Sequence, residues 1–237
     1  MKDNVYCIQK HLNRKIVEGS MKILDIKSLE IPDIKVIKFA RFCDDRGYFT
    51  EQFRKSDLFN HPELASMKNI EFVQANESYS KKGAIRGLHF QWNPYMGKLV
   101  RTLSGNMVDL ILDIRKGSET YGKAIAYDMP SSKNKDYNEW IWIPPGFAHG
   151  NFFTKNSSIE YLCSGEYSPG CEAGISPFSK DIDWSLCSKK LFEKFNNIRN
   201  TNLITEKDRN ALNVTDWYND KRSENFIYSN LKKKGIC

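Results

Sequence analysis

Between residues 30 and 180 the sequence is a succession of short segments cut by glycine, proline and asparagine. They include KVIKFARF, GYFTEQF, IEFVQANES, IRGLHFQ, GKLVRTL, NMVDLILDI, KAIAYDM, EWIWIPP, GNFFT and SIEYLCSGEY. Apolar runs of this length fit strands rather than helices, and the punctuation supplies the turns between them. Many short strands in succession bury their faces by pairing into an antiparallel sandwich or barrel, so the expected fold class is all-β. Helical spacing is confined to SDLFNHPELASM, a short excursion, and to SLCSKKLFEKFNNI near residues 185 to 198.

With 237 residues, of which 40% are hydrophobic, the chain can bury a full core as one domain with extensions. Residues from Met21 onward, MKILDIKSLEIPDIKVIKF, read like a fresh start, which sets residues 1–20 apart as an N-terminal extension. No run approaches the length of a membrane span and MKDNVYCIQKHLNRK carries no apolar signal region, so the expected location is cytoplasmic with no membrane partner. The six cysteines are dispersed without a CxxC pair, which predicts reduced thiols rather than a disulfide framework. The formal net charge of +7 gathers in KKLFEKFNNIRN and the terminal SNLKKKGIC. Those clusters read as solvated faces, and no basic stripe interleaved with aromatics is present, so nucleic acid is not an expected partner. A modest positive field still suits an anionic small substrate such as a nucleotide diphosphate.

Chemistry concentrates in GAIRGLHFQWNPYMGKLVR, residues 83–101. Strand alternation puts Arg86, Leu88 and Phe90 on one face and His89 on the other. The loop WNPYMG is expected to turn the chain so that a second strand, KLVRTL, brings Lys98 back beside His89. The residues alone leave open a site or a hairpin with one polar face. A metal-dependent barrel would need two or three histidines and a carboxylate around one ion. Of the four histidines, His11 lies in the extension and His61 in the helical excursion, and His89 and His149 form no HxH pair, so no metal is expected. His149 follows a strongly apolar strand in WIWIPPGFAHG, where a structural histidine and a site histidine both remain open.

DDRGYFTEQF, FVQANES, RGLHFQ, GKLVR, WIPPGFAHG, EYLCSGEYSPG and LITEKDRNA, in this order, resemble the successive signatures of the dTDP-4-dehydrorhamnose 3,5-epimerase family across residues 21–212. The resemblance implies a jelly-roll cupin fold, a homodimer with exchanged strands, neither metal nor cofactor, and a 4-keto-6-deoxy nucleotide sugar as substrate. It further implies that His89 is the catalytic base, with Asp208 paired to it. A carboxylate on one imidazole nitrogen fixes the tautomer and favours the imidazolium. Lys98 matches the lysine beside the 4-keto oxygen, where it stabilises the enolate, and Tyr161 the acid that returns a proton from the opposite face. Arg46, Glu51, Gln74, Asn76 and Arg86 match residues at the nucleotide and diphosphate end, and Tyr167 an aromatic that stacks on the base. Phe49 belongs to the same cleft or to the core, and His149 takes a supporting role near the sugar.

The resemblance thins at the rim. Leu162 stands where many members carry a lysine, and CSKKLFEKFNNIRNT is a longer insertion before LITEKD than the family suggests. The tail 213–237 has no counterpart and is expected as a helical, basic extension. The nucleotide (dTDP, GDP or CDP), the sugar, and inversion at carbon 3, carbon 5 or both stay open. A 3,4-ketoisomerase and a catalytically silent nucleotide-sugar-binding cupin are the alternatives.

Overall fold

The computed structural model describes residues 22–131 and 135–236; the N-terminal extension and His11 lie outside the described residues. Numbered in chain order, the strands form two main antiparallel sheets. One runs β1 (Ile23–Ser28), β2 (Lys35–Ala40), β10 (Tyr137–Ile143), β7 (Lys98–Ser104), β12 (Ser157–Cys163) and β5 (Gln74–Ser80). The other runs β13 (Glu172–Gly174), β6 (Ile85–Gln91), β11 (Phe147–Phe153), β8 (Asn106–Asp113) and β9 (Ala124–Pro130). A separate hairpin joins β3 (Phe42–Asp44) to β4 (Gly47–Phe49).

Three apolar layers explain why several strands read as unbroken hydrophobic runs. Val36, Val100, Met107, Ile111, Ile141, Phe153 and Ile159 fill the space between the sheets. On the outer face of the six-stranded sheet, Ile37, Leu99, Trp140 and Trp142 pack beneath α1 (Lys55–Phe59) and the 3₁₀ turn Pro62–Met67. The outer face of the five-stranded sheet packs Leu88, Phe90, Leu110 and Phe152 against the C-terminal third of the chain. Strands covered on both faces have no solvent side to mark with polar residues, and β8 is buried along its whole length.

The C-terminal segment is part of this third layer. Its helices α4 (Val214–Asn219) and α5 (Tyr228–Lys233) bury Val214, Trp217 and Leu231, and Phe226 lies between them. Trp217 and Phe226 stand with ring centroids 4.6 and 5.5 Å from Phe90, so an aromatic box closes the back of β6. Removing a buried ring of this size costs about 3–5 kcal/mol. The start of α4 is held by Asp181, which accepts from the Val214 and Thr215 amides and the Thr215 hydroxyl. Partial burial opposes its charge, but these bonds and that from Ser179 draw its pKa down to about 2. Lys232, Lys233 and Lys234 remain exposed, as the sequence predicts, while the apolar half of the tail does not.

Two expectations about the central stretch change. β6 and β7 do not form a hairpin: they belong to different sheets, and the loop between them carries the chain across the sandwich. Nor does strict alternation hold along β6. His149 pairs with His89 and Asn151 with Arg86, so β6 spends one residue more than β11 over this stretch. This β-bulge turns Arg86 onto the same side as His89. It needs glycine on both strands, because a Cβ on Gly87 would stand 2.6 Å from the Gly150 Cα and one on Gly150 2.4 Å from the Arg86 carbonyl oxygen.

Candidate active site

Between the sheets opens a cavity of about 780 Å³, which shares His89, Lys98 and Tyr161 with a smaller lobe of about 250 Å³. His89 comes from the five-stranded sheet; Lys98 and Tyr161 come from neighbouring strands of the six-stranded sheet and face it across the lumen. The sequence-predicted neighbourhood of His89 and Lys98 is thus real, but it spans the sandwich.

His89 Nε2 donates to Asp208 Oδ1 over 2.7 Å. Asp208 sits on α3 (Glu206–Arg209), a single turn whose N-terminus is capped by Thr205 through the Asp208 amide at 3.1 Å. Its second oxygen accepts from the Gly87 amide at 3.3 Å. Burial raises the Asp208 pKa, but the hydrogen bond and charge of His89, with the Gly87 and Thr205 bonds, outweigh it and hold the carboxyl below its ordinary range. With Nε2 donating, the lone pair of neutral His89 lies on Nδ1, ready to take a proton.

Burial lowers the Lys98 pKa, and Cys163, Asp109 and Glu172 oppose that shift. Burial raises that of Tyr161, with Cys163 adding to the shift and Arg86 opposing it, so the phenol keeps its proton and can give it. A second histidine pair lies deeper: His149 Nε2 donates to Asp109 Oδ1, also over 2.7 Å, and His149 lines the same cavity.

The binding residues expected from sequence divide into two groups. Arg86 lines the large lobe, with Nε on the Ser80 hydroxyl at 2.8 Å. Gln74, Asn76 and Tyr167 line the small one, linked by the Tyr167 amide on Gln74 Oε1 and by Gln74 Nε2 on Asn76 Oδ1. Arg46, Phe49 and Glu51 line neither lobe. Arg46 is paired with Asp44 and Glu51 with Arg54, both at 2.6 Å, and Phe49 is 68% exposed.

Sequence reading missed Glu172 and Lys207. They form an ion pair of 3.0 Å where the lobes meet, and the Tyr167 hydroxyl also donates to Glu172. Lys207 stands beside Asp208 in TEKD and could have been found from that adjacency; Glu172, in the short strand β13, carried no signal. The insertion 187–201 has no role that its sequence assigns. It forms α2 (Lys189–Asn196), and the residues leading out of it, Asn202 to Thr205, make one wall of the large lobe. Among the described residues no group of three or more His, Cys, Asp or Glu side chains is placed to hold a metal ion.

A two-sheet jelly roll with a carboxylate-held histidine facing a lysine and a tyrosine across its lumen is a cupin that carries the side chains a proton-transferring isomerase needs. A family model for dTDP-4-dehydrorhamnose 3,5-epimerase matches residues 28–216. The chain belongs to this family. It is 38% identical over 175 residues to the dTDP-4-dehydrorhamnose 3,5-epimerase of Shigella flexneri, covering 72% of this chain and 92% of that one. To the Pseudomonas aeruginosa enzyme of the same name it is 34% identical over 196 residues, 79% of this chain and 94% of that one. Among solved structures, a Mycobacterium tuberculosis epimerase superposes with a TM-score of 0.71 at 26% identity, covering 90% of this chain and 98% of the other. A dTDP-6-deoxy-D-glucose-3,5-epimerase from Legionella pneumophila, solved with dTDP-4-keto-L-rhamnose, gives 0.68 at 29% identity over 86% and 97%.

Proposed function

We propose that the cavity epimerises a 4-keto-6-deoxy nucleotide sugar next to its keto group, with each proton handled by one wall. The chain is an isomerase of the 3,5-epimerase type. The observation that carries the assignment of roles is that His89 and Tyr161 face one lumen from opposite sheets. A ring held between them meets a base on one face and an acid on the other.

His89 Nδ1 takes the proton from the carbon beside the carbonyl, and the C–H electron pair forms the carbon–carbon double bond of an enolate. The former carbonyl pair moves to oxygen, where the Lys98 ammonium stabilises the charge as it develops. Tyr161 then gives its hydroxyl proton to the same carbon from the opposite face, which inverts it. Solvent entering the open cavity restores the tyrosine proton and removes that of the histidine. Asp208 holds the histidine ring in tautomer and orientation through the Nε2 bond.

Arg86 and Lys207 supply positive charge for the diphosphate, and an arginine fork suits it in geometry. Gln74, Asn76 and Tyr167 take the nucleoside side. Arg46, Phe49 and Glu51 act in the site of a second copy, reached by exchange of the exposed β3–β4 hairpin in a homodimer. Cys163, Cys171 and Cys187 are unbridged thiols, which suits a cytoplasmic enzyme.

The test is proton NMR in deuterium oxide with a dTDP-4-keto-6-deoxy sugar. Wild type introduces deuterium at carbon 3, carbon 5 or both, and His89→Ala does not. Saturable binding without exchange would refute the epimerase roles. For the exchanged hairpin, mixing inactive His89→Ala and Arg46→Ala chains under subunit exchange restores activity, because one site of the mixed dimer keeps both residues; no recovery refutes it.

A further inference from the structure

The floor of the large lobe holds a polar patch that the proton-transfer groups leave without a task. On β11, His149 and Asn151 alternate inward between Phe147 and Phe153, two residues of the inter-sheet core. Asn151 lines the cavity, is only 4% exposed, and its Oδ1 has no hydrogen-bond partner among the described residues. Directly across the β11–β8 register stands Asp109, fully buried, whose Oδ2 is equally unpartnered. His149 is committed to the other Asp109 oxygen, and Arg86, which faces Asn151 in the β6 register, turns its guanidinium to Ser80 and the Tyr79 carbonyl.

Buried polar atoms are paired almost without exception, and one left open at a cavity wall marks where a ligand supplies the partner. An open acceptor oxygen at the cavity wall is complementary to a donor, and a sugar hydroxyl is the donor a substrate of this class carries.

We propose that Asn151 is a specificity-determining residue whose Oδ1 accepts a hydrogen bond from a ring hydroxyl of the sugar held between His89 and Tyr161. The inference rests on the reading of this cavity as a 4-keto nucleotide-sugar site. It states which substrates the large lobe selects: those with a free hydroxyl on the carbon turned toward β11, against deoxy or O-alkylated sugars at that position. A site built to pair with a hydroxyl rejects the analogue that lacks it more strongly than an apolar pocket rejects an extra group.

The experiment compares wild type with Asn151→Leu, which has the same branched heavy-atom skeleton, somewhat more bulk and no polar atoms. Deuterium incorporation is followed for the full dTDP-4-keto-6-deoxy sugar and for analogues lacking the hydroxyl at carbon 2 or carbon 3. On the full sugar, Asn151→Leu is expected to lower kcat/KM by about tenfold to a hundredfold. On one of the two deoxy analogues the two proteins differ by less than about threefold, which identifies the carbon. The affinity for dTDP alone and the Tm of the unliganded protein do not fall, since the Asn151 side chain holds nothing in the fold. Asn151→Ala, which leaves space, gives the same selectivity if leucine disturbs the packing. Equal losses on the full sugar and both analogues overturn the proposal, as does a drop in Tm with loss of dTDP affinity. A wild type that binds the sugars without exchanging protons overturns the epimerase reading instead. The hydroxyl contact is then decided by the same comparison made on binding constants.

Discussion

The two histidine–carboxylate pairs have the same length, 2.7 Å between Nε2 and Oδ1, and stand as cross-strand neighbours, His89 opposite His149. They differ in what surrounds them. In the first, the His89 side chain is 39% exposed and Asp208 7%; in the second, His149 is 8% exposed and Asp109 not at all. Equal hydrogen bonds can therefore serve different ends. The open pair can exchange its proton with a substrate and be reset by water, whereas a buried carboxylate that loses its partner has no water to turn to. Chemistry is expected to dominate at the first pair and stability at the second.

The sharpest way to break that contrast is to remove each histidine in turn. His89→Ala is expected to lower kcat/KM by about 10²- to 10⁴-fold in the deuterium-exchange assay. Its thermal melt shifts by less than about 1 kcal/mol, because water in the cavity can solvate what is left. His149→Ala strands a buried charge and is expected to cost about 3 kcal/mol, roughly 6–12 °C in Tm, with a smaller loss of rate than at His89. If the His149→Ala protein melts like wild type, the distinction collapses.

A finer comparison uses acid. The folded-state pKa of Asp208 lies below its ordinary value of 3.8, so its carboxylate contributes stability that is fully present above that value and lost as pH falls through the lower one. Melts of wild type and Asp208→Asn should differ by a constant amount above about pH 5 and converge in stronger acid. A difference that persists to the lowest pH would remove the carboxylate's charge from the account.

The smallest effect concerns the cation that shares the open pair's cavity. Burial lowers the Lys98 pKa from 10.5, so the alkaline limb of kcat/KM should lie below the range of a free lysine. Lys98→Arg, whose guanidinium stays charged, should lift that limb at a lower rate. Glu172→Gln removes an anion that favours the ammonium and should move the limb further down, by less than about one pH unit.

The strand series was legible because period and punctuation are local properties. KVIKF, VQANES and MVDLILD became β2, β5 and β8 almost where the pattern put them. The position of His89 beside Lys98 was legible in outcome only: no pattern in WNPYMG distinguishes a hairpin turn from a crossing between sheets. The bulge at Gly87 was hidden because its cause lies on another strand, at Gly150, far along the chain. Asp208 was found through a resemblance, since 119 residues separate it from the histidine it holds. Asn151 carried no signal, because a lone asparagine in GNFFT reads as turn chemistry until its amide is seen buried with one oxygen unmet.

The aromatic box of Phe90, Trp217 and Phe226 also sets when the protein can become an enzyme. A chain translated only as far as Tyr161 already holds His89, Lys98 and Tyr161. It lacks the helix that aims the histidine and the rings that cover the other side of its strand. Such a fragment would display Phe90 and Leu88 to the surroundings, the kind of surface that chaperones and proteases recognise. Activity and concealment from quality control thus arrive together, when the segment through Leu231 has been laid down.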